Sequence, residues 1–104
     1  VNLLRRLDAM LPTADWAMPG GGDVRTHWAK LRCGGNTHLG FNEILHNSIG
    51  AEPYANKPLC GGCPGFGAEV APEDATVTCA DCWAVLVKMV SVKIGKIGEA
   101  HVAA

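Results

Sequence analysis

Aromatic side chains are scarce in this 104-residue chain: one Tyr, two Phe and three Trp make up 6% of it. Aliphatic residues and alanine must therefore build any core, within a hydrophobic share of 48%. Charge of one sign is lacking too. Nine basic and ten acidic residues leave a formal net charge of −1, which supplies no basic footprint for nucleic acid. There is no long uncharged apolar run: the stretch from Trp83 to Ile97 carries Lys88, Lys93 and Lys96, and is too short and too charged to span a bilayer. No basic segment leads into an apolar one as in a secretory signal. The expectation is thus a cytoplasmic chain with no membrane partner. In a reducing compartment its five cysteines would serve thiolate–metal chemistry rather than disulfides.

What is present is a paired cysteine pattern. Cys60-Gly61-Gly62-Cys63 and Cys79-Ala80-Asp81-Cys82 are separated by fifteen residues, within the spacing window of tetrahedral zinc sites. A two-residue gap lets one tight turn aim both sulfurs at one ion, so each pair supplies half a tetrahedron. The glycines of Pro58-Leu59-Cys60-Gly61-Gly62-Cys63-Pro64-Gly65 free backbone N–H groups to point at thiolate sulfur, as in a metal knuckle. The predicted site is one structural zinc on Cys60, Cys63, Cys79 and Cys82, with Cys33 left over. A chain this short buries a limited fraction of its surface, so a metal staple is physically useful.

Along the chain, Leu3, Leu4, Leu7, Met10 and Leu11 fall on one helical face, with Asn2 as N-cap and Pro12 as stop. Residues 1–23 are expected to form this amphipathic helix and a Gly-rich loop, and residues 24–104 the zinc-binding domain. Val24 to Cys33 reads as a strand and Gly34-Gly35-Asn36 as a turn. Phe41 to Ile49 reads as a short helix stopped at Gly50. Thirteen Gly and six Pro imply long irregular stretches, and Ala51 to Pro72 is expected to be one. Thr78 resembles the start of a capping box. It would place Cys79 and Cys82 in the first turn of a helix running to about Ile97, although the β-branched density of Val85 to Ile94 also suits a strand. The fold class is a small α+β zinc-stabilised domain, treble-clef-like if that segment is helical and zinc-ribbon-like if it is a strand.

Cys60-Gly61 followed by Val77-Thr78-Cys79-Ala80-Asp81-Cys82 resembles small zinc-finger proteins of actinobacteria and their phages. These share a histidine, then Cys-Gly, then Val-Thr-Cys-x-x-Cys. The resemblance covers Leu45 to Trp83 and implies zinc, with no particular activity. In that pattern His46 would be the leading histidine, while Cys63 departs from it, so the fourth ligand stands open between His46 and Cys63.

Other chemistry is poorly supported. Gly20-Gly21-Gly22 lacks the Lys-Ser/Thr of a phosphate loop, and the first cysteine pair lies in a Pro/Gly loop rather than opening a helix as a redox motif would. His27, Cys33, His38, His46 and His101 are further candidate ligands, and Cys33 with His27 or His38 could in principle form a dyad. Their ordinary explanation is a buried thiol and exposed histidines. The leading expectation is a non-enzymatic, zinc-held module that binds a protein partner, as a phage- or actinobacterial-type accessory protein would. One alternative is a nucleic-acid-binding module using Arg25, Lys30, Arg32, Lys88, Lys93 and Lys96. The other is an iron or thiol redox protein.

Overall fold

Asn2 sets the start of the first helix: its side-chain oxygen accepts from the Leu4 N–H at 2.8 Å, and helix α1 runs over Leu3–Met10. The computed structural model describes residues 2–63 and 67–103, with residues 96–103 by their backbone path alone. After α1 come β1 (Trp16–Ala17), β2 (Asp23–Cys33), β3 (Asn36–Asn47), β4 (Gly50–Pro58), β5 (Glu69–Val70) and the long helix α2 (Ala80–Ala103). Among the described residues, no helix is long and apolar enough to cross a membrane.

The strands form one antiparallel sheet in the order β1-β2-β3-β4, with β5 joining β2 on the edge that β1 also uses. Gly34 and Gly35, with φ of 61° and 81°, make the two-residue turn between β2 and β3. β1 and β5 cover only the two ends of the outer β2 edge. Between them the Thr13 hydroxyl donates to the Thr26 carbonyl at 2.7 Å, and the Thr26 N–H donates to Asp15 at 3.1 Å. The Ala71 N–H then bonds the Lys30 carbonyl at 2.7 Å. Side chains and a loop thus satisfy an edge that would otherwise pair with another chain.

Two layers cover the sheet. On one face Leu7, Trp28, Leu39, Val77, Cys82 and Leu86 form the main core, so α1 and α2 pack on the same strands. Trp28 and Phe41, directly opposed across β2 and β3, hold their rings 4.6 Å apart. The Trp28 indole N–H donates to the Leu11 carbonyl at 2.8 Å, which fixes the chain leaving α1. On the other face Ala29, Leu31 and Ala68 make a smaller cluster. Residues 28–31 are consequently buried on both faces, where a one-sided strand would alternate.

Two local expectations are corrected. The segment from Phe41 to Ile49 is not a helix. Ser48 and Ile49 form a turn, and Phe41 to Asn47 before them is the second half of β3, with Phe41 opposite Trp28 and Leu45 opposite Val24. Its apolar spacing fits either structure, and pairing on both edges with β2 and β4 decides for the strand. Gly50 ends no helix but closes a hairpin, in which the Asn47 side chain accepts from the N–H groups of Ile49 and Gly50 at 2.9 and 3.2 Å. The supposed irregular stretch after Ala51 is β4 as far as Pro58. Its prolines are tolerated because β4 is an edge strand.

Candidate metal centre

The β3–β4 register carries the first half of the site. Gly40 is opposite Pro58, and the Leu59 N–H continues the ladder to the Leu39 carbonyl at 2.9 Å, so Cys60 arrives beside His38. Gly40 permits this approach: a Cβ there would collide with the Lys57 carbonyl oxygen and lie 2.7 Å from Pro58 Cα. Beyond Pro58 the chain turns tightly, with the Gly61 N–H bonded to the Pro58 carbonyl at 3.0 Å. The Gly62 N–H points at Cys60 Sγ at 3.3 Å, the N–H···S contact expected of a knuckle.

The second half comes from the start of α2. The N–H groups of Thr78 and Cys79 both donate to the Thr37 carbonyl, at 2.9 and 3.2 Å, while the Thr37 N–H donates to the Thr78 hydroxyl at 3.0 Å. Thr78 therefore clamps the helix to β3 next to His38 instead of starting a capping box. Cys79 takes the cap position, its carbonyl accepting from the Trp83 N–H at 3.4 Å, and Cys82 follows in the first turn.

His38, Cys60, Cys79 and Cys82 present four donor atoms that all lie within 4.8 Å of one another, close enough to hold a metal ion. The Cys60 and Cys79 sulfurs are 3.8 Å apart, and His38 Nδ1 lies 3.4 Å from Cys60 Sγ and 3.6 Å from Cys82 Sγ. His38 Nε2 is 3.2 Å from the Cys33 carbonyl oxygen. A carbonyl can only accept, so Nε2 carries the proton and Nδ1 turns its lone pair toward the sulfurs. Burial works against the Cys79 thiolate. The Cys82 N–H, the Cys82 and Cys60 thiols and the Asp81 N–H together outweigh burial and lower the pKa from 9.0. Cys82 is fully buried, and burial pushes its thiol up to about 11. A bound divalent cation reverses that balance, because a coordinating thiol is deprotonated outright.

No family model matches the chain, and no curated protein or solved structure does either.

Three of the four cysteines read from spacing come together here, and Cys63 does not. It is disulfide-bonded to Cys33 at a Cα separation of 6.5 Å, which also corrects the expectation that no cysteine would be oxidised. Cys33, at the end of β2, is carried to the knuckle loop by the β2–β3 turn, a proximity that cysteine spacing cannot report. The fourth donor in the cluster is instead His38. His46, the other histidine considered, sits opposite Ala51 near the far end of the hairpin, about 26 Å along β3 from His38 at roughly 3.3 Å per residue. The signal that would have singled out His38 is the register pairing β3 with the chain that leads into Cys60. Reading residues 41–49 as a helix removed it from view.

The remaining candidates scatter. His27 is exposed on β2, while the side chain of His101 lies outside the described residues, as do Pro64 and Gly65 of the knuckle motif. Arg25 pairs with Asp23 at 3.4 Å. Lys30 and Arg32 project from the opposite face of β2, and Lys30 is buried with its ammonium donating to the Glu73 carbonyl at 2.6 Å. Lys93 donates to the Met10 carbonyl, Lys88 is exposed, and the Lys96 side chain lies outside the described residues. Trp28 is core, whereas Trp16 and Trp83 are part-exposed with their indole N–H groups bonded to Glu43 and the Val77 carbonyl.

Proposed function

We propose that the chain is a non-catalytic module held together by one structural zinc on His38, Cys60, Cys79 and Cys82, and that it works through protein contacts. The observation that carries this is metric. Tetrahedral zinc, with bonds of about 2.3 Å to sulfur and about 2.0–2.1 Å to nitrogen, needs sulfur–sulfur edges of about 3.8 Å and sulfur–nitrogen edges of about 3.5 Å. Three of the site's six edges match, at 3.8 Å between two sulfurs and 3.4 and 3.6 Å from sulfur to nitrogen, and all six lie within 4.8 Å. Three thiols and an imidazole are also the donor chemistry of zinc sites.

Four protein donors leave the ion no open position for water, which favours a structural role over catalysis. A knuckle turn, the short extended segment β5 and then two ligands at a helix start support a treble-clef-like reading, in which His38 stands in for the second knuckle cysteine. The resemblance to actinobacterial and phage zinc-finger proteins, which covers Leu45 to Trp83, supports zinc on Cys60, Cys79 and Cys82; its histidine would be His46, and the choice of His38 rests on the cluster geometry alone. A protein partner is supported by α2, whose Val87 and Ile94 remain 61% and 64% exposed beside part-exposed Trp83.

Elemental analysis of the purified protein, with a thiol count before and after chelation, tests the reading. One zinc per chain and three thiols unmasked by chelation are expected. Iron, or no metal at all, would overturn it.

A further inference from the structure

The Cys33–Cys63 disulfide meets the metal centre at two points. Cys33 supplies the carbonyl that orients His38, 3.2 Å from Nε2. Cys63 stands three positions after ligand Cys60, across the two-residue gap that lets one turn aim two sulfurs at one ion: Cys60-Gly61-Gly62-Cys63 is itself a ligand pair by spacing. While the disulfide is intact, the Cys63 sulfur is committed to Cys33 and only half of that pair can ligate, so His38 provides the fourth donor. Both disulfide cysteines are part-exposed, within reach of a reductant.

We propose that this disulfide selects the ligands of the centre. When it is oxidised, the ion sits on His38, Cys60, Cys79 and Cys82. When it is reduced, Cys63 displaces His38 and the ion sits on the two cysteine pairs. The inference rests on the metal-binding reading above and concerns how that site is regulated. The reductant is a dithiol: it supplies two electrons and two protons, the sulfur–sulfur bond between Cys33 and Cys63 breaks, and the dithiol closes to its own disulfide. Cys33 keeps its proton as a free thiol. Cys63 loses its proton to solvent as its sulfur binds the ion, and His38 departs as a neutral imidazole, so the centre gains one negative charge. Two features favour the exchange. Thiolate is the softer donor, preferred by zinc-like ions, and a ligand three positions from Cys60 closes a smaller ring than one across the sheet.

Cobalt(II), used in place of zinc on the full-length chain, gives a readout in its thiolate-to-metal charge-transfer absorption, which grows with the number of bound sulfurs. Reduction by a phosphine, which adds no thiol of its own, should raise the thiol count of the denatured protein from three to five. The charge-transfer intensity should then rise by about one third, as three sulfurs become four. Cys33→Ser frees Cys63 without any reductant and should show the higher intensity from the outset, whereas Cys63→Ser should keep the lower one throughout. His38→Ala should bind cobalt more than about 10-fold more weakly than wild type before reduction and match it afterwards. An unchanged spectrum in a chain shown to carry five thiols overturns the ligand exchange and leaves the zinc reading standing. Failure to bind one cobalt in either state overturns both.

Discussion

At His38 the Cys33 carbonyl keeps the proton on Nε2, so the nitrogen facing the three sulfurs is the one able to ligate. His46, on the same strand, has no sulfur in the cluster beside it. We therefore expect His46→Ala to retain one zinc per chain and to change stability by less than about 0.5 kcal/mol, as surface substitutions do, which metal analysis and thermal melting would check. Cys82→Ser should behave very differently. Binding a structural zinc contributes about 10–16 kcal/mol, comparable with or above the whole stability of a small domain, so losing a buried ligand should leave the chain unfolded by circular dichroism at 25 °C. A folded Cys82→Ser chain would refute the structural role of the ion. Gly40 supports the same site without touching it. Its replacement by Ala pushes β3 and β4 apart beside Cys60, and should cost about 1–3 kcal/mol together with a measurable loss of zinc affinity in chelator competition.

Among the elements, α2 is docked by its first residues. Thr78 accepts from the Thr37 N–H and its hydroxyl reaches the Asn36 side chain at 3.3 Å, so one side chain ties the start of the helix to the start of β3. Thr78→Val keeps the shape and removes both bonds. The expected result is a loss of about 1–3 kcal/mol in denaturant unfolding with zinc stoichiometry unchanged, since the Thr37 N–H loses its partner. β2 was legible because its whole run, from Asp23 to Cys33, ends in a two-glycine turn, and the α1 segment because Asn2 and Pro12 bracket its apolar face. β3 was not legible as a strand. Phe41, Ile44 and Leu45 satisfy a helical spacing as well as a pleat, and what separates the two is whether β2 and β4 are present to pair with. That is a long-range condition, and misreading it cost the identification of His38.

Across the whole molecule the candidate metal centre and the main core are continuous. Cys82 belongs to the same buried cluster as Leu7, Trp28, Leu39, Val77 and Leu86, with Cys60 and Cys79 packed against it. Removing the ion should consequently be felt far from the ligands. Chelation at neutral pH is expected to shift the tryptophan fluorescence to the red, as buried Trp28 becomes exposed, and to abolish near-UV circular dichroism in a single transition, reversed by added zinc. A chelated chain that keeps its near-UV signal would show that the core stands without the metal. What the sequence by itself determined is the local part: a turn-borne pair and a helix-start pair of cysteines, a capped first helix, a strand ending in a two-glycine turn, and an aliphatic core. These follow from residue spacing within a few turns of chain. The tertiary structure alone decided that Cys63 is bonded to Cys33 and that His38 is gathered with Cys60, Cys79 and Cys82, because both depend on the β2–β3–β4 register. A register is a relation between distant segments, fixed by which faces can be buried together, and no spacing along the chain records it.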